Sequence, residues 1–160
     1  YYRLKGHTGA NVPQVDFKEA QKEIYTMVDG VANSLISAAH DISDGGLAVA
    51  VAEMSFGGWG EGKIGAEINL DRIPLADARA GFANTVKLFA ETGGFICEIP
   101  QSKAKKFEAL CKKHQLTPYE IGKTTSVQKL NFKSGGKNII NLDLQKACER
   151  WMNGLREKLN

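Results

Sequence analysis

Two carboxylates, Asp41 and Asp44, and two glycines, Gly45 and Gly46, crowd into the stretch AAHDISDGGLAVAVAEM, residues 38–54. A strand ending at Asp41, a tight turn and a helix starting near Gly45 would leave unpaired backbone N–H groups at the helix N-terminus. Such a terminus attracts anions, and adjacent glycines let a ligand approach the backbone closely. Two nearby carboxylates would repel a bare phosphate. A Mg²⁺ between acid and phosphate removes that conflict, because hard cations take carboxylate oxygens. A plainer reading has Asp44 capping the helix, Asp41 capping the preceding turn, and the glycines allowing close helix–sheet packing. The residues by themselves favour the plainer reading, with His40 a hydrogen-bonded structural residue rather than a base.

A second cluster lies in AETGGFICEI, residues 90–99. Glu91, Thr92, Gly93 and Gly94 fall between a helix and a strand, where polar tips can face a shared cleft. Alternatively, Gly93 ends the helix and Glu91 is a surface acid. IGKTT (121–125) resembles a phosphate loop only superficially. The Walker pattern needs a glycine where Thr117 stands, so the segment reads as strand. The glycine-rich loop 57–65 is a weak candidate for covering a ligand, and no nucleophile–base pair stands out.

The elements that position these residues follow from periodicity. Phe17, Ala20, Ile24, Met27, Val28, Val31 and Leu35 recur at helical spacing as an inward face, with Asp16 as N-cap and Glu19 as its capping-box partner. LISAAHDI has strand length, and 45–54 reads as a buried helix. In KIGAEINL, Ile64, Ala66, Ile68 and Leu70 alternate with polar residues and glycine, which predicts a half-buried strand. A helix over about 75–91, a strand in GGFICEIP and a helix over 102–114 with Ala104, Phe107, Leu110 and Cys111 inward come next. Three short β segments follow, the last two joined by KSGGK, a hairpin signal. The chain ends in a helix with Leu144, Ala147, Cys148, Trp151, Met152 and Leu155 inward. A mixed β-sheet flanked by α-helices, an α+β fold, is the economical arrangement.

A chain of 160 residues can bury a genuine core, and 42% hydrophobic and 24% charged content fit a soluble globular domain. The net charge of +3 is too mild to argue for nucleic acid. Lys103, Lys105, Lys106, Lys112 and Lys113 have the spacing of a solvated helix face. No apolar run approaches the roughly 18–20 residues of a membrane span. Three scattered cysteines, Cys97, Cys111 and Cys148, without metal-ligand spacing, read as reduced thiols of a cytoplasmic protein. The opening YYRLKGHTGANVPQVD lacks methionine, which suggests a piece of a longer polypeptide more than a processed chain. Residues 1–160 then form one C-terminal domain, with 1–15 as loop or linker.

At HDISDGGLA…AEM the sequence resembles the C-terminal domain of phosphoribosylformylglycinamidine synthase (formylglycinamidine ribonucleotide synthetase), of the small synthetase subunit type. VPQVD, LFAETGGFICEI and EIGKTT stand in the same order, so the resemblance spans nearly the whole chain. Weaker versions of the motif occur in aminoimidazole ribonucleotide synthetase and its relatives. The resemblance implies an aminoimidazole ribonucleotide synthetase C-terminal-domain-like fold, the last of four domains in an ATP-dependent ligase of purine biosynthesis. That enzyme activates an amide oxygen with ATP and Mg²⁺, and ammonia from a glutaminase partner then displaces phosphate. Its best-defined ATP and Mg²⁺ ligands lie on other domains. This domain would frame the non-catalytic, auxiliary nucleotide cleft, supply no catalytic residue and be inactive alone. By pseudo-symmetry with the first half of the enzyme, the resemblance makes Asp41 a metal ligand. It also turns Asp41, Asp44, Gly45, Gly46, Glu91, Thr92 and Gly93 towards an ATP or ADP, although ETGG departs from the first half's acidic-polar-Gln pattern. Implied partners are the remaining synthetase domains, the glutaminase subunit and a small accessory subunit, with neither nucleic acid nor membrane. Apolar residues uncovered by excision would favour homo-oligomers. The competing readings are a purely structural interaction domain and the equivalent domain of another superfamily member.

Overall fold

Helix α1 (Phe17–Ala32) starts where Asp16 accepts hydrogen bonds from the amides of Lys18 (2.8 Å) and Glu19 (3.2 Å), the expected N-cap. The Glu19 carboxylate pairs with Lys22 at 2.7 Å. The structure, a computed structural model, describes residues 5–6, 14–57, 64–75 and 83–154. The chain divides into two compact units, one of residues 1–50 and 85–119 and the other of 51–84 and 120–160.

In the first unit α1 packs against α4 (Ala104–Lys113), but not through the apolar stripe the periodicity marks out. Phe17, Ile24, Val28 and Val31 are exposed, Phe17 by 84%, and the buried α1 positions are Thr26 and Gly30. Gly30 is covered instead: a Cβ there would lie 2.7 Å from Ile36, in the segment after the helix, and at an ordinary 3.7 Å from Leu110 of α4. Polar contacts complete the packing. Asp29 accepts from His114 Nε2 at 2.8 Å and Lys113 Nζ at 3.2 Å, and Lys103 Nζ donates to the Ser34 carbonyl at 2.6 Å. The hydrogen bonds from His114, then Lys113, hold the Asp29 carboxyl below its ordinary pKa of 3.8. Strands β1 (Ala38–Asp41) and β3 (Phe95–Glu98) form an antiparallel ribbon that pairs Ala38 with Glu98 and Asp41 with Phe95. Met27 of α1 meets the ribbon at Cys97, sulfur to sulfur at 3.4 Å. Burial, with the neighbouring Cys111 thiol, pushes the Cys97 pKa up to about 11.

The second unit carries a four-stranded mixed sheet ordered β4–β2–β5–β6, comprising β2 (Gly65–Asn69), β4 (Gly122–Thr125), β5 (Lys129–Ser134) and β6 (Lys137–Asp143). β2 and β5 run parallel, and the other pairs are antiparallel. The β5–β6 hairpin turns at Gly135 and Gly136, both with positive φ, as KSGGK predicts. Ala66, Ile68 and Leu70 are buried as their alternation implies, whereas Ile64 is exposed. With Leu130, Phe132 and Leu144 they form the core. Helix α5 (Leu144–Asn153) is capped by Asp143 and buries Leu144 and Cys148. Trp151 and Met152, expected inward, are exposed by 58% and 56%. The Trp151 indole instead donates to Glu53 at 2.9 Å, its ring 5.7 Å from Phe56. This side contact satisfies a polar N–H that a fully apolar niche would leave unpaired.

Among the described residues the remaining α-helices are α2 (Gly46–Phe56) and α3 (Ala83–Phe89). The α+β architecture, a mixed sheet with helices, is as the sequence implies. Most of loop 57–65, the first part of the 75–91 helix and Leu155 lie outside the described residues. Among the described residues no helix is long and apolar enough to cross a membrane, and the three cysteines are free thiols.

Candidate functional site

The strand–turn–helix expected around residues 38–54 is present. β1 ends at Asp41, the chain turns through 42–45, and α2 begins at Gly46. Gly45 and Gly46 adopt φ of +82° and +68°, and the Gly46 amide donates to the Ser43 carbonyl at 2.9 Å. Gly46 is also a point of close approach. A Cβ there would sit 2.8–2.9 Å from backbone atoms of Leu88, Phe89 and Ala90, where α3 ends.

The second cluster converges on this turn. The Gly45 amide donates to Glu91 Oε1 at 2.9 Å, and the Ile42 amide donates to the Gly94 carbonyl at 2.9 Å. Loop 91–94 thus grips the turn along its length, with Gly93 and Gly94 at φ +82° and +96°. Two expectations change in consequence. Glu91 is no idle surface acid, and the turn's amide is served by Glu91 rather than by Asp44. Two residues in left-handed conformation separate Asp44 from the body of α2, so its carboxylate does not hold the position of a helix cap. Asp44, Glu91, Thr92 and Gly93 are exposed, Gly45 is half-buried and Gly46 buried.

Asp41 lies at the ribbon's end with its side chain 63% exposed. His40 Nδ1 lies 2.6 Å from the Asp41 carbonyl oxygen and 3.4 Å from Asp41 Oδ1, so the imidazole braces the aspartate, matching its structural reading. A cleft of about 350 Å³ opens here, lined by Met27, Ala39, His40, Asp41 and Phe95. Met27 stands out in the sequence only as part of a helix face, and Ala39 and Phe95 carry no site signal there. Their signal is the pairing of Asp41 with Phe95 across the ribbon, a register that local spacing does not carry. Among the described residues no three His, Cys, Asp or Glu side chains gather to hold a metal ion. The exposed Asp41 carboxylate offers hard oxygen atoms, the donor type that Mg²⁺ takes.

IGKTT forms β4 against β2, as read. A second cleft of about 390 Å³ lies in that unit, with Arg72 on Glu120 at 3.3 Å and Lys133 on Glu67 at 3.5 Å among its walls. Those paired charges give it no strong preference for an ion of either sign.

The profile of the family "AIR synthase related protein, C-terminal domain" matches residues 3–134. "Phosphoribosylformylglycinamidine synthase subunit PurL" of Methanothrix thermoacetophila is 36% identical over 160 residues, covering 99% of this chain and 19% of the relative. The protein of the same name from Thermoplasma volcanium is 33% identical over 156 residues, covering 97% of this chain and 19% of the relative. The chain thus spans about a fifth of the length of the curated relatives it matches. Among solved structures, T. maritima PurL complexed with FGAR superposes with a TM-score of 0.72 at 17% identity, covering 90% of this chain and 23% of that one. T. maritima PurL complexed with ATP gives 0.67 at 19% identity, covering 82% and 22%.

Proposed function

The chain belongs to the AIR synthase related protein C-terminal domain family, and on that premise we propose that it serves as the C-terminal domain of a phosphoribosylformylglycinamidine synthase. The observation that carries this reading is the match to the Methanothrix relative, 36% identical across 99% of the chain. The reaction is the ATP-dependent conversion of formylglycinamide ribonucleotide and glutamine to formylglycinamidine ribonucleotide. In the cytoplasm the domain works with the remaining synthetase domains, a glutaminase subunit and a small accessory subunit. A solved T. maritima assembly named PurLQS, with a TM-score of 0.72 and 18% identity to this chain, supports a multisubunit setting.

Within that enzyme, the Asp41 carboxylate would hold a Mg²⁺ carried by an auxiliary ATP or ADP. The Asp44–Gly46 turn and loop 91–93 frame the nucleotide's cleft. Bound there, the metal supplies charge neutralisation for the phosphates. The chain's own residues orient the ligand, with His40 bracing Asp41 and no general base provided.

The test is Asp41→Asn in the full-length synthetase. Co-purifying nucleotide per chain should fall severalfold, and the 160-residue chain alone should not turn over formylglycinamide ribonucleotide. Unchanged nucleotide content would favour a structural role for the turn. One observation already supports that second reading, because the Gly45 amide has an internal acceptor in Glu91. Turnover by the isolated chain would overthrow the assignment of an inactive domain.

A further inference from the structure

We propose that Glu91 is a positioning residue, which sets the Asp-Gly-Gly turn through the Gly45 amide and makes no direct contact with the nucleotide or its metal. This rests on the reading of the cleft above and narrows it, since Glu91 would otherwise count among the ligand contacts.

Three contacts argue for it. Glu91 Oε1 accepts from the Gly45 amide at 2.9 Å across 46 residues of sequence. On one side of that bond the Ile42 amide meets the Gly94 carbonyl at 2.9 Å, and on the other Gly46 abuts the backbone of 88–90. Glu91 is thus the side-chain member of a grip that is otherwise all backbone. Its target is a pair of glycines at φ +82° and +68°. Glycine explores such conformations freely, so an untethered Gly-Gly turn would wander, carrying Asp44 with it and loosening the chain after Asp41. The carboxylate oxygen that fixes this turn is committed to an amide. A bare phosphate brought beside it would meet like charge, and a cation between the two would have to compete with the Gly45 amide for that oxygen.

The experiment compares Glu91→Ala, Glu91→Gln and Asp41→Asn in the full-length synthetase, by ADP binding and by amide hydrogen exchange of peptides spanning 42–47 in the nucleotide-free protein. Glutamine keeps an oxygen that accepts the same bond, while alanine does not. Glu91→Ala should weaken ADP binding about fivefold and speed exchange, and Glu91→Gln should restore both to within about twofold of wild type. If Glu91→Gln binds ADP as poorly as Glu91→Ala while exchange is restored, the negative charge itself contacts the ligand or its metal, and the proposal falls. If Glu91→Ala leaves exchange unchanged, the bond holds nothing and the proposal falls again. Failure of the cleft assignment looks different. Asp41→Asn would then leave ADP binding untouched, while the exchange comparison of the two Glu91 variants still reports on the turn.

Discussion

Replacing Gly46 with alanine puts a methyl group where the backbone of another segment already stands. The new Cβ would lie 2.8 Å from the Leu88 carbonyl oxygen, 2.8 Å from the Phe89 carbonyl carbon and 2.9 Å from the Ala90 carbonyl oxygen. None of these is a side-chain atom, so no rotamer change clears the overlap and the end of α3 must shift. Two further terms act. Holding alanine at φ +68° costs about 1–2 kcal/mol, and stiffening the unfolded chain returns about 0.4–1 kcal/mol. Forcing the shift adds about 1–3 kcal/mol by analogy with overpacked cores. The net destabilisation should be about 2–4 kcal/mol. Gly93→Ala is the internal control. Gly93 has φ +82° but nothing within 4 Å of the position its Cβ would take, so only the conformational terms remain, about 1 kcal/mol. Urea unfolding of wild type and both variants, with midpoints compared at a common slope, gives the difference directly. Equal losses for the two variants, within about 0.5 kcal/mol, would refute the close approach of 88–90 to the turn.

Two further outcomes follow from the packing. Leu130, 1% exposed in the middle of the mixed sheet, should lose about 2–5 kcal/mol on change to alanine, and a loss under 1 kcal/mol in the same urea assay would mean that the site collapses or is not core. Asp29→Asn should weaken the α1–α4 clamp. Because the Asp29 pKa is depressed in the folded state by His114 and then Lys113, its contribution is present above the ordinary value of 3.8 and is lost as pH falls through the lowered folded value. The stability gap between wild type and variant, followed by thermal melts from neutral to acid pH, should therefore close only at the acid end, and a gap that closes near pH 6 would contradict the sign.

The local features proved readable because each has a local cause. Asp16 caps α1 two and three residues ahead, KSGGK folds on itself, and Asp-Gly-Gly punctuates a strand before an apolar helix. What escaped is non-local. The parallel pairing of Ala66 with Leu130, the Asp41–Phe95 register and the Glu91–Gly45 bond join residues dozens of positions apart, and spacing along the chain says nothing about them. The misreading of α1 has a different origin. Periodicity identified an apolar stripe at Phe17, Ile24, Val28 and Val31, and that stripe exists, but a stripe does not name what lies against it. Thr26 and Gly30 are the positions that became buried, Gly30 under Ile36 of the segment that follows the helix. The resemblance carried by HDISDGGLA, in turn, identified the family without saying that Glu91 spends its oxygen on the turn.

The sulfur contact between Met27 and Cys97 makes α1 a shutter over a slow-reacting thiol. With its pKa near 11, Cys97 holds little thiolate at neutral pH, and its half-buried sulfur lies against the helix 3.4 Å away. Alkylation is therefore slowed twice, by the scarcity of thiolate and by the partial cover that α1 gives the sulfur. The pH dependence of the alkylation rate separates the two. Once the first is accounted for, the residual rate reports how far α1 shields the sulfur.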